Sequence, residues 1–258
     1  MRAVCQLFVA LFALGWAAAG SGNALAFDAS TAAAIDKAAD AFVALAGDSA
    51  NTGKAPRQTD PAVKPLLDRI LDTSELQHGV QPVSELGALG KWALAIVKVG
   101  TIYTLAGSGI AKLEAVPNDP AIIEKLNHNA VVFPTEMGRY YDATMWIEGA
   151  IIDTVALFLS KASQADIERT KAGIAQIRAG AVQSIVGVIT TLPTNGIADD
   201  WRRQRLAVLA VIAPRAAKFL PAEDLRQLSE VAKTTAAQMT DPEVKSALSQ
   251  IATILMQH

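Results

Sequence analysis

Helix punctuation narrows the fold of this chain more than any other feature. Three Asp-Pro pairs, Asp60-Pro61, Asp119-Pro120 and Asp241-Pro242, each stand before an apolar run of helical period. Aspartate offers an oxygen to the free amides of a first turn, and proline at the first helical position loses an N–H that would bond nothing there. Pro134 and Pro221 open further segments, and Ser163-Gln164-Ala165-Asp166 has the form of a capping box. Gly47 and Pro193-Thr194-Asn195-Gly196 read as stops. No stretch alternates polar and apolar residues as a half-buried strand would. Helices are expected over 30–46, 59–76, 84–113, 118–133, 134–160, 163–192, 199–220, 221–239 and 241–257, with a kink at Pro214. The fold class is all-α: a single multi-helix bundle of about eight mostly antiparallel helices.

The first 26 residues have a different character. Arg2 is followed by an apolar run through Trp16, a break at Gly20-Ser21-Gly22-Asn23 and the small-residue ending Ala24-Leu25-Ala26. That is the layout of a cleaved secretory signal peptide, and its apolar core is short for a span of about 20 residues. Residues 27–258 are then the mature domain, beginning at Phe27, with the periplasm as expected compartment and extracellular release as the alternative. Cys5, the only cysteine, leaves with the leader, so no disulfide, thiolate nucleophile or cysteine metal site remains.

The run 84–113 is the most apolar part of the remainder. Lys91, Lys98 and Lys112, with Gly100, Gly107 and Gly109, weigh against a membrane role, so no transmembrane segment and a soluble mature chain are expected. A net charge of −2 lacks the basic excess of a nucleic-acid binder. The match of 59–64 to 240–245 (Thr-Asp-Pro-x-Val-Lys) is read as a good helix start used twice rather than as a structural repeat.

Laid out at 100° per residue, the helix over 134–160 puts Tyr140, Tyr141, Ile147, Ile151, Ile152 and Val155 on one arc, with Glu148 among them. Asp142, Trp146, Gly149, Asp153 and Ser160 fall on the other side. Arg178 falls inside the apolar arc of the following helix. Counted from a turn near Lys161, the levels of Glu148 and Arg178 differ by roughly 5 Å, so a buried pair across adjacent helices is expected, structural or facing a ligand. Arg139, Tyr140, Tyr141 and Trp146, near Phe133 and Glu136, form the densest group of recognition-type side chains. The segment 199–205 reads as a solvated charged face.

No catalytic, cofactor or metal motif is present: there is no nucleophile elbow, phosphate-binding glycine loop or His-x-x-x-His pair. The function expected is an exported helical protein that binds an unknown small molecule or protein, without nucleic acid and without cofactor. An envelope enzyme with a dispersed site and a tether through a retained leader are the alternatives.

Overall fold

The computed structural model of the chain describes residues 29–77 and 86–257. The leader expected at 1–26 and most of the loop expected at 77–82, His78 included, lie outside these residues. Among the described residues every regular element is helical, and no strand occurs. The helices are α1 (Ala29–Ala46), α2 (Ser49–Thr52), α3 (Lys64–Leu71), α4 (Ser74–Gln77), α5 (Leu86–Leu105), α6 (Pro120–Val132), α7 (Pro134–Lys161), α8 (Gln164–Thr191), α9 (Asp199–Phe219), α10 (Ala222–Gln238) and α11 (Pro242–Leu255).

The caps explain the boundaries. Asp119 accepts from the Ala121 amide at 2.9 Å, and Asp241 from the Val244 amide at 2.8 Å. Ser163 accepts from the Asp166 amide at 3.2 Å. Asp60 behaves differently from its apparent twin. It accepts from the Ala62 amide at 2.8 Å within a turn, and the helix proper begins only at Lys64. The expected helix over 59–76 is also broken near its end. Asp72 turns extended at ψ 99° and receives the Ser74 amide at 3.1 Å, separating α3 from α4. Asp, Thr and Ser compete for backbone bonds in this way, and Asp72-Thr73-Ser74 places all three in a row.

One buried cluster runs from α1 to α11. At one end α1, α3 and α5 pack together; at the other α9, α10 and α11 do. Between them lies α7, against α5, α6, α8 and α9. Ten consecutive residues of α7, Ala143 to Ile152, are buried, so this helix is enclosed nearly all round over that stretch. The Tyr141 hydroxyl meets Thr191 Oγ1 at 3.0 Å, fixing α7 and α8 as antiparallel neighbours. Asp142 bonds Arg205 and Asp153 pairs with Arg215, so α7 and α9 run parallel.

One expectation is corrected. By length and composition α5, α7 and α8 are each long and apolar enough to cross a membrane, which overturns the expected lack of any transmembrane segment beyond residue 26. Lysines punctuate 84–113, whereas the charges of α7 and α8 lie mostly outside their most apolar 18-residue stretches. In the bundle, 56%, 61% and 67% of these stretches in α5, α7 and α8 is buried against other helices.

Candidate functional site

The side of α7 that carries Asp142, Trp146, Gly149 and Asp153 faces α9, and its polar residues are there to seat arginines. Asp142 takes Arg205 through two bonds, Nε to Oδ1 at 2.5 Å and Nη2 to Oδ2 at 2.6 Å. Arg205 is buried and also stands 5.1 Å from the centre of the Trp201 ring. Gly138, one turn before Asp142, makes this possible: a methyl there would lie 2.6 Å from Arg205 Nη1. A looser counterpart lies farther along, an ion pair in which Arg215 Nη1 makes no hydrogen bond. Asp153 meets Arg215 at 3.1 Å, and a methyl on Gly149 would lie 2.6 Å from Ile212 Cδ1 and 3.1 Å from Arg215 Nη1.

The solvated-face expectation for 199–205 therefore holds for Asp200, which is exposed, and fails for Trp201 and Arg205. Trp201 is buried and donates its indole N–H to the Pro134 carbonyl at 2.8 Å. Arg205→Met is expected to cost about 2–3 kcal/mol, because it strips both charged hydrogen bonds from a carboxylate that is mostly buried. Urea denaturation checks this, and Arg205→Lys should recover little of the loss because an ammonium cannot reproduce the two-pronged contact.

Beside this seam an open cleft of about 320 Å³ is lined by Leu71, Asp72, Thr73, Gln77, Arg139, Asp142, Trp146 and Val208. One wall is the break between α3 and α4, and the other is α7 with Val208 of α9. Arg139 bridges the walls: its Nη1 donates to Asp68 Oδ1 at 2.7 Å and its Nη2 reaches the Leu67 carbonyl at 3.5 Å. Bonds from Lys64 and Arg139 hold the Asp68 carboxyl below its ordinary value. Burial pushes Asp142 above its ordinary value, against the pull of Arg205. The volume is at the small end of ligand-binding clefts.

The expected recognition cluster divides accordingly. Arg139 and Trp146 line the cleft. Tyr140 and Tyr141 do not: both are buried in the core, with ring centres 5.2 Å apart. Burial pushes the Tyr141 hydroxyl up to about 12, so it remains a neutral phenol bonded to Thr191. Glu136 is also buried and ties the loop between α2 and α3 to α7 by accepting the Gln58 amide at 2.8 Å. Asp72, Thr73, Gln77 and Val208 complete the cleft and were not anticipated. The signal for the first two was the Asp-Thr-Ser run, which marks a helix break.

The expected Glu148–Arg178 pair is corrected as well. Glu148 is buried at 1% exposure, but its Oε1 has no hydrogen-bond partner, and it makes no ion pair among the described residues. Burial pushes its carboxyl up to about 8. Arg178 is half-buried and turns to α9, with its guanidinium 5.2 Å from the centre of the Phe219 ring. The helix register explains the mismatch. Seven residues on from Tyr141 along α7 is Glu148, and seven back from Thr191 along α8 is Ser184, each about two turns away on the same face. Ser184 is buried too, and its Oγ is also unpartnered. By this count Ser184 lies nearer than Arg178 to the level of Glu148, and Arg178 is six residues farther along α8.

Among the described residues no group of three or more histidine, cysteine, aspartate or glutamate side chains is placed to hold a metal ion. No protein-family model, no curated protein and no solved structure matches this chain.

Proposed function

We propose that the chain is an exported, periplasmic helical protein that binds a small molecule in the cleft between the α3–α4 break and α7. The observation that supports this is the convergence of polar and apolar groups on one concavity. Arg139, Asp142 and Trp146 from α7 meet Asp72, Thr73 and Gln77 from the break, with Leu71 and Val208 as apolar lining. The polar groups can orient a ligand while Leu71, Trp146 and Val208 take part of its body out of water. Export rests on the leader layout of residues 1–26.

Native mass spectrometry of protein purified from its own host tests both parts. The expected result is a chain beginning at Phe27 that carries a small-molecule adduct. Val208→Trp should abolish the adduct, because the half-buried Val208 lines the cleft and a large ring there takes its space, with an unchanged helical spectrum showing that the fold is kept. Retention of the adduct by this variant overturns the cleft, and Met1 at the N-terminus of the purified chain overturns export.

A further inference from the structure

The cleft's charges are unequally committed, and this points to the class of ligand. The guanidinium groups of Arg139, Arg205 and Arg215 around the cleft already have carboxylate partners. Arg139 is held by Asp68 at 2.7 Å, and Arg205, behind the wall, is held by both oxygens of Asp142. An anionic ligand would therefore meet guanidinium groups whose charge is already balanced by carboxylates. Asp72 is the opposite case. It is exposed, its carboxylate accepts only the Ser74 amide at 3.1 Å, and it meets no cation among the described residues. A carboxylate at the edge of a half-enclosed space, with its second oxygen open, favours a cationic hydrogen-bond donor over any other group.

The remaining lining sets the rest of the ligand. Trp146, Leu71 and Val208 give the cleft an apolar wall. Arg215 already stands 6.0 Å from the centre of the Trp146 ring, so the indole serves as a flat surface and not as the seat of the charge. Thr73 and Gln77 add neutral polar groups near Asp72.

We infer that the cleft takes a small organic cation, a flat or compact apolar body bearing one ammonium or amidinium group, with the cation on Asp72 and the body against Trp146. This rests on the cleft being the binding site. Three probes of one shape separate the two claims: benzylammonium, benzyl alcohol and benzoate. Each is titrated into the full protein while the indole N–H resonance of Trp146, assigned by its loss in Trp146→Phe, is followed by NMR.

The expected result is a saturable shift with benzylammonium, a weaker one with benzyl alcohol and none with benzoate. Asp72→Asn, a change at an exposed position, should weaken benzylammonium about tenfold and leave benzyl alcohol unchanged. If benzoate or benzyl alcohol binds as tightly as benzylammonium, or Asp72→Asn leaves benzylammonium unaffected, the cation assignment is overturned while the cleft stands. If no probe moves the Trp146 signal, the cleft itself fails as the binding site.

Discussion

Glu148→Gln is expected to stabilise the protein at alkaline pH and to leave it nearly unchanged in acid. The wild-type carboxyl is buried without a partner on α7 and titrates at about 8 in the folded chain, against an ordinary value of 4.5. Between those values the unfolded chain has released this proton and the folded chain still holds it. Stability therefore falls as pH rises through the window and is flat on either side. At about 1.4 kcal/mol per tenfold difference in proton affinity, the full drop is about 4–5 kcal/mol. Glutamine keeps the shape and removes the titration. Urea midpoints measured from pH 4 to pH 9 should coincide for the two proteins at the acid end and diverge toward the alkaline end. Parallel curves would mean that Glu148 is solvated. Because Glu148 and Arg178 do not meet, a change at one should add to a change at the other without coupling.

Gly100→Ala is the second large effect. Gly100 lies on α5 where it crosses α7, and an alanine methyl there would stand 2.1 Å from Cε2 and 2.3 Å from Cζ of Tyr140. Tyr140 is 1% exposed and has no room to retreat. Overpacking of this severity is expected to cost about 3 kcal/mol or more. For a chain of this size that lowers Tm by roughly 10 °C. Tyr140→Leu on its own should also destabilise, by leaving part of the ring's volume empty. In that background, however, Gly100→Ala should cost less than about 1 kcal/mol, since the methyl enters the freed space. Equal costs of Gly100→Ala in both backgrounds would show that the helices separate there instead of the ring blocking the methyl.

The elements were legible because their ends are chemically marked. Asp119, Ser163 and Asp241 cap the helices whose starts they signalled, and α7 begins at Pro134 as its proline implied. Partnership between helices was much less legible. A helix buried all round presents apolar residues to several neighbours, and an arc diagram cannot say which neighbour takes which arc. For α7 the polar arc turned out to face α9, where Asp142 and Asp153 each find an arginine. Counting from the α7–α8 turn put Glu148 and Arg178 within roughly 5 Å of one level, but Glu148 makes no ion pair among the described residues and Arg178 turns to Phe219 of α9. Half of the recognition cluster reached the cleft because Arg139 and Trp146 lie toward α3, α4 and α9, whereas Tyr140 and Tyr141 lie toward α5 and α8. The other wall was hidden by the continuity of the helical pattern through Asp72, where capping chemistry outweighs period.

The paired arginine seats also bear on how the molecule can move. Arg205 and Arg215 are separated by about 15 Å along α9, and the aspartates that receive them by about 16 Å along α7. A single fastening would leave the two rods free to pivot about it, whereas the Arg215–Asp153 ion pair opposes that pivot. Helices α7 and α9 therefore form a stiff plank, and one edge of that plank is the Asp142–Trp146–Val208 wall of the cleft. Stiffness is thus unequally shared around the opening. Any adjustment to a ligand's shape falls to the α3–α4 wall, which the Arg139–Asp68 bridge joins to the plank across the cleft.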